Sequence, residues 1–147
     1  MHNYRETKNH TWSRFIVNEA LKNECGTIQI EDLSGISKDN AFLKEWTFYS
    51  LQQKIIDKAK EHGIQVVKVK PNYTSQRCNK CGFIHKDVNK EIWRPTQSSF
   101  KCLNCGHETN ADLNAARNIA MKDIEKIIVD QLNVQEQHQK HAEKYLV

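Results

Sequence analysis

Two Cys-x-x-Cys pairs, Cys78/Cys81 and Cys102/Cys105, are the residues whose type and spacing specify chemistry most directly. Two cysteines separated by two residues can wrap one tight turn around a single ion. Two such turns supply the four thiolates of a tetrahedral zinc shell. Twenty residues separate the pairs, at the upper edge of the usual four-cysteine zinc spacing. Gly82 and Gly106 follow the pairs and let each backbone turn back. Four protein ligands leave no open position, so the expected zinc is structural. Binding in such modules carries on the order of 10 kcal/mol of apparent free energy. Residues 72–109 hold few large apolar side chains (Phe83, Ile84, Ile92, Trp93, Phe100) and are expected to be largely unfolded without metal. His85 and His107 lie near the pairs and are expected at the surface rather than as ligands.

Two carboxylates stand on either side of this module. Asp112 falls in the first turn of a helix just after Cys105, where the helix dipole by itself accounts for an acid. Glu31 falls near the C-terminal end of a strand, the end at which open α/β sheets place ligands, and equally reads as a surface acid.

The elements that must position these residues follow from periodicity. Residues 1–10 are polar and are expected to be frayed. From Thr11 an apolar stripe of Trp12, Phe15, Ile16 and Ala20, with Val17 and Leu21 beside it, predicts an amphipathic helix. Cys25 ends it as a small buried residue, and Gly26 suits a left-handed cap. Thr27–Leu33 alternates as a strand. Asp39 or Asn40 caps a second helix, with Phe42, Trp46, Phe48, Leu51, Ile55, Ile56 and Ala59 apolar, and Gly63 stops it. Ile64–Lys70 is the next strand, ended by Pro71. Strand, long helix and strand make a βαβ unit with parallel strands and a right-handed crossover. After the zinc module a helix is expected from Ala111 to about Leu132, with a polar tail over 133–147 that either extends it or is disordered.

A chain of 147 residues suits one domain with a small metal module. A net charge of +4 and a pI of about 8.8 are compatible with nucleic acid and equally with a slightly basic protein of another kind. No apolar run is long enough to span a bilayer and the N-terminus has no apolar signal region. The expectation is a cytoplasmic protein with no membrane partner, where paired cysteines favour metal over disulfide.

Several segments occur in a telling order: Ile30-Glu31-Asp32-Leu33-Ser34-Gly35, then Pro71-Asn72-Tyr73-Thr74-Ser75-Gln76-Arg77-Cys78-x-x-Cys81-Gly82, then Cys102-x-x-Cys105-Gly106, then Asn110-Ala111-Asp112-Leu113-Asn114-Ala115-Ala116-Arg117-Asn118-Ile119. Over residues 8–128 this succession resembles the C-terminal half of the transposon-encoded TnpB (OrfB) proteins and of the related miniature type V-F CRISPR effectors. The resemblance implies an α/β fold: a RuvC-type core of RNase H fold, partial here and lacking its first three strands, with an inserted four-cysteine zinc ribbon. It divides the chain into a partial core (1–71), a zinc ribbon that binds target nucleic acid (72–109), a helix carrying an acid (110–132) and the polar tail (133–147).

The resemblance further implies an RNA-guided DNA endonuclease that is nucleoid-associated in a prokaryotic cell. DNA is its partner, and guide RNA is a partner of the complete protein. Three acids hold magnesium in that family. Glu31 matches the second and Asp112 the third, so both are the implied catalytic and magnesium-binding residues. Arg94 is the implied contact near the scissile phosphate, and Arg77, among the basic neighbours of the ribbon, is a further candidate nucleic-acid contact. The first acid has no counterpart, since residues 1–26 contain no Asp, and the chain is expected to be a C-terminal piece. A stand-alone zinc-ribbon module that binds nucleic acid, or an inert remnant, remains open as an alternative. The purified chain is therefore expected to show weak or no magnesium-dependent cleavage of single-stranded DNA. Cleavage that disappears in Asp112→Ala would contradict this.

Overall fold

The computed structural model describes residues 2–34 and 41–146, with side chains described except at 2, 3 and 41–47. Two compact units, Met1–Val69 and Lys70–Val147, divide the chain. The proposed cap at Asp39 or Asn40 lies outside the described residues, as do the side chains of Phe42 and Trp46.

In the first unit, α1 (His2–Lys22), β1 (Thr27–Glu31), α2 (Ala41–Glu61) and β2 (Gln65–Val69) follow in that order. The strands pair in parallel, Thr27 opposite Gln65 through Glu31 opposite Val69, as the βαβ reading requires. Val17 and Ala20 of α1 meet Ile55, Ala59 and Ile64, with Ile16, Leu51 and the strand residues Ile28 and Val66 packed around them.

The helical character of α1 was legible, but its phase was not. Its buried face runs through Asn9, Ser13, Val17 and Ala20, at spacings of four and three. Trp12 and Phe15 stand more than half exposed. Ser13 fits the buried face because it is small and its hydroxyl donates to His10 O at 3.0 Å. Residues 2–10 are helical rather than frayed. The reason is an anchor to α2: Lys54 Nζ lies 2.7 Å from Glu6 Oε2, and Ser50 Oγ donates to Glu6 Oε1 at 3.0 Å.

The left-handed residue that ends α1 is Glu24 (φ 55°), not Gly26. Cys25 N donates to Ala20 O at 2.8 Å and Glu24 N to Leu21 O at 3.1 Å, the double closure of a Schellman turn. Cys25 is thereby carried to the surface and is not a core residue. Gly63 (φ 69°) closes α2 in the same way, with Ile64 N on Ala59 O and Gly63 N on Lys60 O. Phe48 is half exposed, since the apolar cluster takes up α2 only from Leu51.

The second unit contains α3 (Lys90–Trp93), the antiparallel pair β3 (Ser99–Lys101) and β4 (Glu108–Asn110), α4 (Ala111–Ile119) and α5 (Ile124–Tyr145). The single helix expected over 111–132 is broken between Ile119 and Ile124, where Asp123 adopts a left-handed conformation (φ 59°). Aspartate tolerates that region better than most residues. The break lets α5 bury Ile124 and Ile128 independently of α4. Residues 133–145, left open between helix and disorder, continue α5. Among the described residues no helix is long and apolar enough to cross a membrane.

Candidate metal centre

The two knuckles repeat one hydrogen-bond pattern twenty-four positions apart. Cys78 N donates to Phe83 O and Gly82 N returns to Cys78 O, both at 2.9 Å. Cys102 N donates to His107 O at 2.9 Å and Gly106 N returns to Cys102 O at 3.0 Å. Each return requires a left-handed residue after the second cysteine, and Gly82 (φ 84°) and Gly106 (φ 75°) supply it. Beside the second knuckle, Phe100 and Lys101 pair with Thr109 and Glu108 in the β3–β4 ladder.

These turns aim the four sulfurs at one point. All lie within 4.8 Å of one another, with Cys78 to Cys105 at 3.8 Å and Cys81 to Cys102 at 3.6 Å. A disulfide would need about 2.05 Å. A tetrahedron of sulfurs about 2.3 Å from a central zinc has an edge of roughly 3.8 Å, which the Cys78–Cys105 and Cys81–Cys102 separations approach. The donor set therefore fits a closed zinc site.

The four thiols are not equivalent. Burial opposes ionisation of Cys81, but the Phe83 amide and then the Asn104 carboxamide outweigh it, bringing the thiol to about 7. Burial pushes Cys102 up to about 12 and raises Cys78 as well. Cys81 sits on the exposed side of the site, while Cys78 and Cys102 are buried. Four thiolates around a dication carry a net charge of about −2. Arg77 lies against Cys78 and Cys81 and offsets part of it, although burial pulls its own pKa below the ordinary value.

His85 corrects the expectation of a surface imidazole. It is buried, with Nδ1 2.8 Å from Gln76 O and Nε2 accepting the Leu103 amide at 3.1 Å. Both ring nitrogens are used, which fixes the neutral tautomer with the proton on Nδ1. Burial holds its pKa below the usual range, against the pull of the Gln76 carbonyl. Because Leu103 lies inside the second knuckle, His85 ties the two knuckles together without being a ligand. Its ring packs edge-on against Phe83 (4.9 Å) and Phe100 (5.6 Å) and is stacked on Trp93 (6.1 Å). These rings, Cys78, Cys102 and Ala111 form the small apolar core of the unit.

Gln135 is a second contributor that periodicity could not find. Its carboxamide accepts from Ile84 N and donates to Ile84 O, both at 2.9 Å, and so docks α5 on the first knuckle as a strand neighbour would. A polar residue on a polar stretch of helix carries no signal of such a contact.

The other residues that the sequence singles out are spread over both units. Glu31 is the last residue of β1, with its carbonyl held by Gln52 Nε2 at 2.8 Å. Asp112 is exposed in the first turn of α4, whose N-cap Asn110 accepts the Leu113 amide at 3.0 Å. Arg94 is partly exposed, with Nε and Nη2 donating to Gln97 O at 3.0 and 2.6 Å. Arg77, expected at a nucleic-acid surface, is instead buried, with Nη1 donating to Asn118 Oδ1 at 2.7 Å. Its charge is used inside the protein.

Residues 48–119 match the family model described as Cas12f1-like, TNB domain. The chain is a homologue of Cas12f1 and of TnpB-type proteins. It is 54% identical over 131 residues to the CRISPR-associated endodeoxyribonuclease Cas12f1 of Sulfoacidibacillus thermotolerans, an alignment covering 88% of this chain and 30% of the relative. To the putative RNA-guided DNA endonuclease InsQ of Escherichia coli (strain K12) it is 34% identical over 108 residues, 70% of this chain and 25% of the relative. Its fold is similar to a chain of the Cas12f1–sgRNA–target DNA complex, with a TM-score of 0.66 and 32% identity over 81% of this chain and 34% of that one. The chain thus spans under a third of these curated relatives.

The two knuckles allow an internal comparison. A methyl group at Gly106 would meet nothing within 4 Å, whereas at Gly82 it would lie 3.2 Å from Arg77 Nη2. Gly106→Ala is expected to cost about 1–2 kcal/mol from the left-handed backbone alone. Gly82→Ala should cost more, because it also displaces the buried guanidinium. Denaturant unfolding of both variants at saturating zinc checks this, and equal losses would contradict it.

Proposed function

We propose that this chain forms the zinc-ribbon and acid-bearing part of an RNA-guided DNA endonuclease, with its first unit belonging to a RuvC-like core of RNase H fold. The observation that carries the reading is a closed four-thiolate ribbon lying in sequence between an acid at a strand end, Glu31, and an acid in the first turn of α4, Asp112. Homology to Cas12f1 and InsQ supports DNA as substrate and RNA as guide.

Zinc is the structural ion, held by Cys78, Cys81, Cys102 and Cys105. Glu31 and Asp112 would hold magnesium, whose hard preference for oxygen suits carboxylates. When bound, paired magnesium ions activate water and stabilise the leaving oxygen of a phosphodiester. The protein's own part is to keep both carboxylates available and to bring a DNA strand to them. Asp112 is exposed on its helix and Glu31 only partly covered, so neither is committed to the core.

The ribbon presents Lys80, Lys86 and Lys90 to solvent, with Arg94 partly exposed between α3 and β3. These cations suit the phosphate backbone of a single strand, where contacts give affinity without sequence reading. Arg77 contributes indirectly, by holding the knuckle. Binding of a labelled single-stranded DNA across a salt series tests the reading. The logarithm of the affinity should fall linearly with that of salt, by about 0.7 per phosphate contacted. Lys80→Ala, Lys86→Ala and Lys90→Ala together should flatten the slope. Absent or salt-independent binding would contradict binding through phosphate contacts.

A further inference from the structure

Asn114 and Asn118 are buried completely, and nothing in the zinc chemistry itself calls for them. Asn114 Nδ2 donates to Arg77 O at 2.8 Å, and its Oδ1 accepts the Asn79 amide at 2.9 Å. Asn118 Nδ2 donates to Thr74 O at 2.8 Å and to Arg77 O at 2.7 Å, while its Oδ1 accepts Arg77 Nη1 at 2.7 Å. The groups they bind are the backbone on either side of Cys78, a buried zinc-ligand candidate.

With the N-cap Asn110, these asparagines recur every four residues and so share one face of α4. Asp112 lies two positions from Asn110 and from Asn114, so at about 100° per residue it projects from the opposite face. A helix of nine residues is too short to hold its own axis and rotation in water. Its azimuth is set by what its asparagine face grips. Each carboxamide matches donors to carbonyls and acceptors to N–H groups, and a rotation by one residue would leave all of them buried and unpaired.

We infer that Asn114 and Asn118 are positioning residues that transmit the zinc-closed first knuckle to α4 and thereby aim Asp112. The inference rests on the proposed role of Asp112, but the coupling itself is readable without nuclease activity. Zinc holds Cys78 in place, the two asparagines lock α4 to the backbone around Cys78, and the acid on the far face is oriented as a result. A ribbon attached only through its two chain ends would impose no such constraint.

Amide hydrogen exchange of the full chain tests this, with cobalt in place of zinc so that the tetrathiolate absorption bands report the metal site independently. In the unaltered chain, chelating the metal should expose the amides of Asn114–Ile119 together with those of the knuckles. Asn114→Leu and Asn118→Leu should accelerate α4 exchange about tenfold or more while leaving the cobalt bands unchanged. Arg77→Gln, which keeps the Arg77 carbonyl but removes the guanidinium bonds to Asn118 Oδ1 and Met121 Sδ and the charge beside Cys78 and Cys81, should give a smaller acceleration of the same amides. Arg117→Leu, on the exposed side of α4, should give none. α4 protection that survives metal removal, or that is unchanged in the metal-loaded asparagine and Arg77 variants, overturns the coupling and leaves the nuclease reading standing. Loss of DNA binding and cleavage in the assembled nuclease with α4 exchange as described would do the reverse.

Discussion

The convergence of four sulfurs is the constraint on which the second unit depends. Its apolar core is a handful of rings around Cys78 and Cys102, with Ala111 at its edge. Burial of so few side chains contributes a few kcal/mol each at most, against an ordering cost of about 1–2 kcal/mol per residue. The four cysteines, clustered as a zinc site would require, close the shell, and the mixed polar and aromatic arrangement surrounds them. Arg77 offsets its charge, His85 bridges its knuckles, and Gln135 and the asparagines of α4 fasten helices to its backbone.

The first unit is held differently. Its βαβ unit and covering helix pack the small residues Ala20 and Ala59 at the contact between α1 and α2, with the Glu6–Lys54 pair fixing the start of α1. This is ordinary α/β packing. It places Glu31 as the last residue of a parallel strand, opposite Val69.

What the sequence disclosed and what it hid divide along physical lines. Short-range signals were legible: Cys-x-x-Cys-Gly fixes a knuckle because its atoms are set by five consecutive residues. Gly63 and the alternation of Thr27–Glu31 are equally local. Contacts between distant polar groups were hidden. His85 looked like a surface residue because nothing beside it in sequence tells that Gln76 O and the Leu103 amide will reach its two nitrogens. Arg77 looked like a phosphate ligand for the same reason: charge suggests solvent, and only the fold supplies Asn118 as a partner. The phase of α1 is hidden because Trp12 and Phe15 outweigh Ser13 in hydrophobicity, whereas the buried face takes the small residue. The break before α5 is hidden because Asp123 marks a left-handed turn less strongly than glycine would.

Zinc-edge X-ray absorption of the purified chain is the most direct measurement of the central claim. The account predicts one metal shell of four sulfurs at about 2.3 Å with no light-atom neighbour, unchanged when His85 is replaced. A nitrogen or oxygen scatterer in the shell, or fewer than four sulfurs, would contradict it.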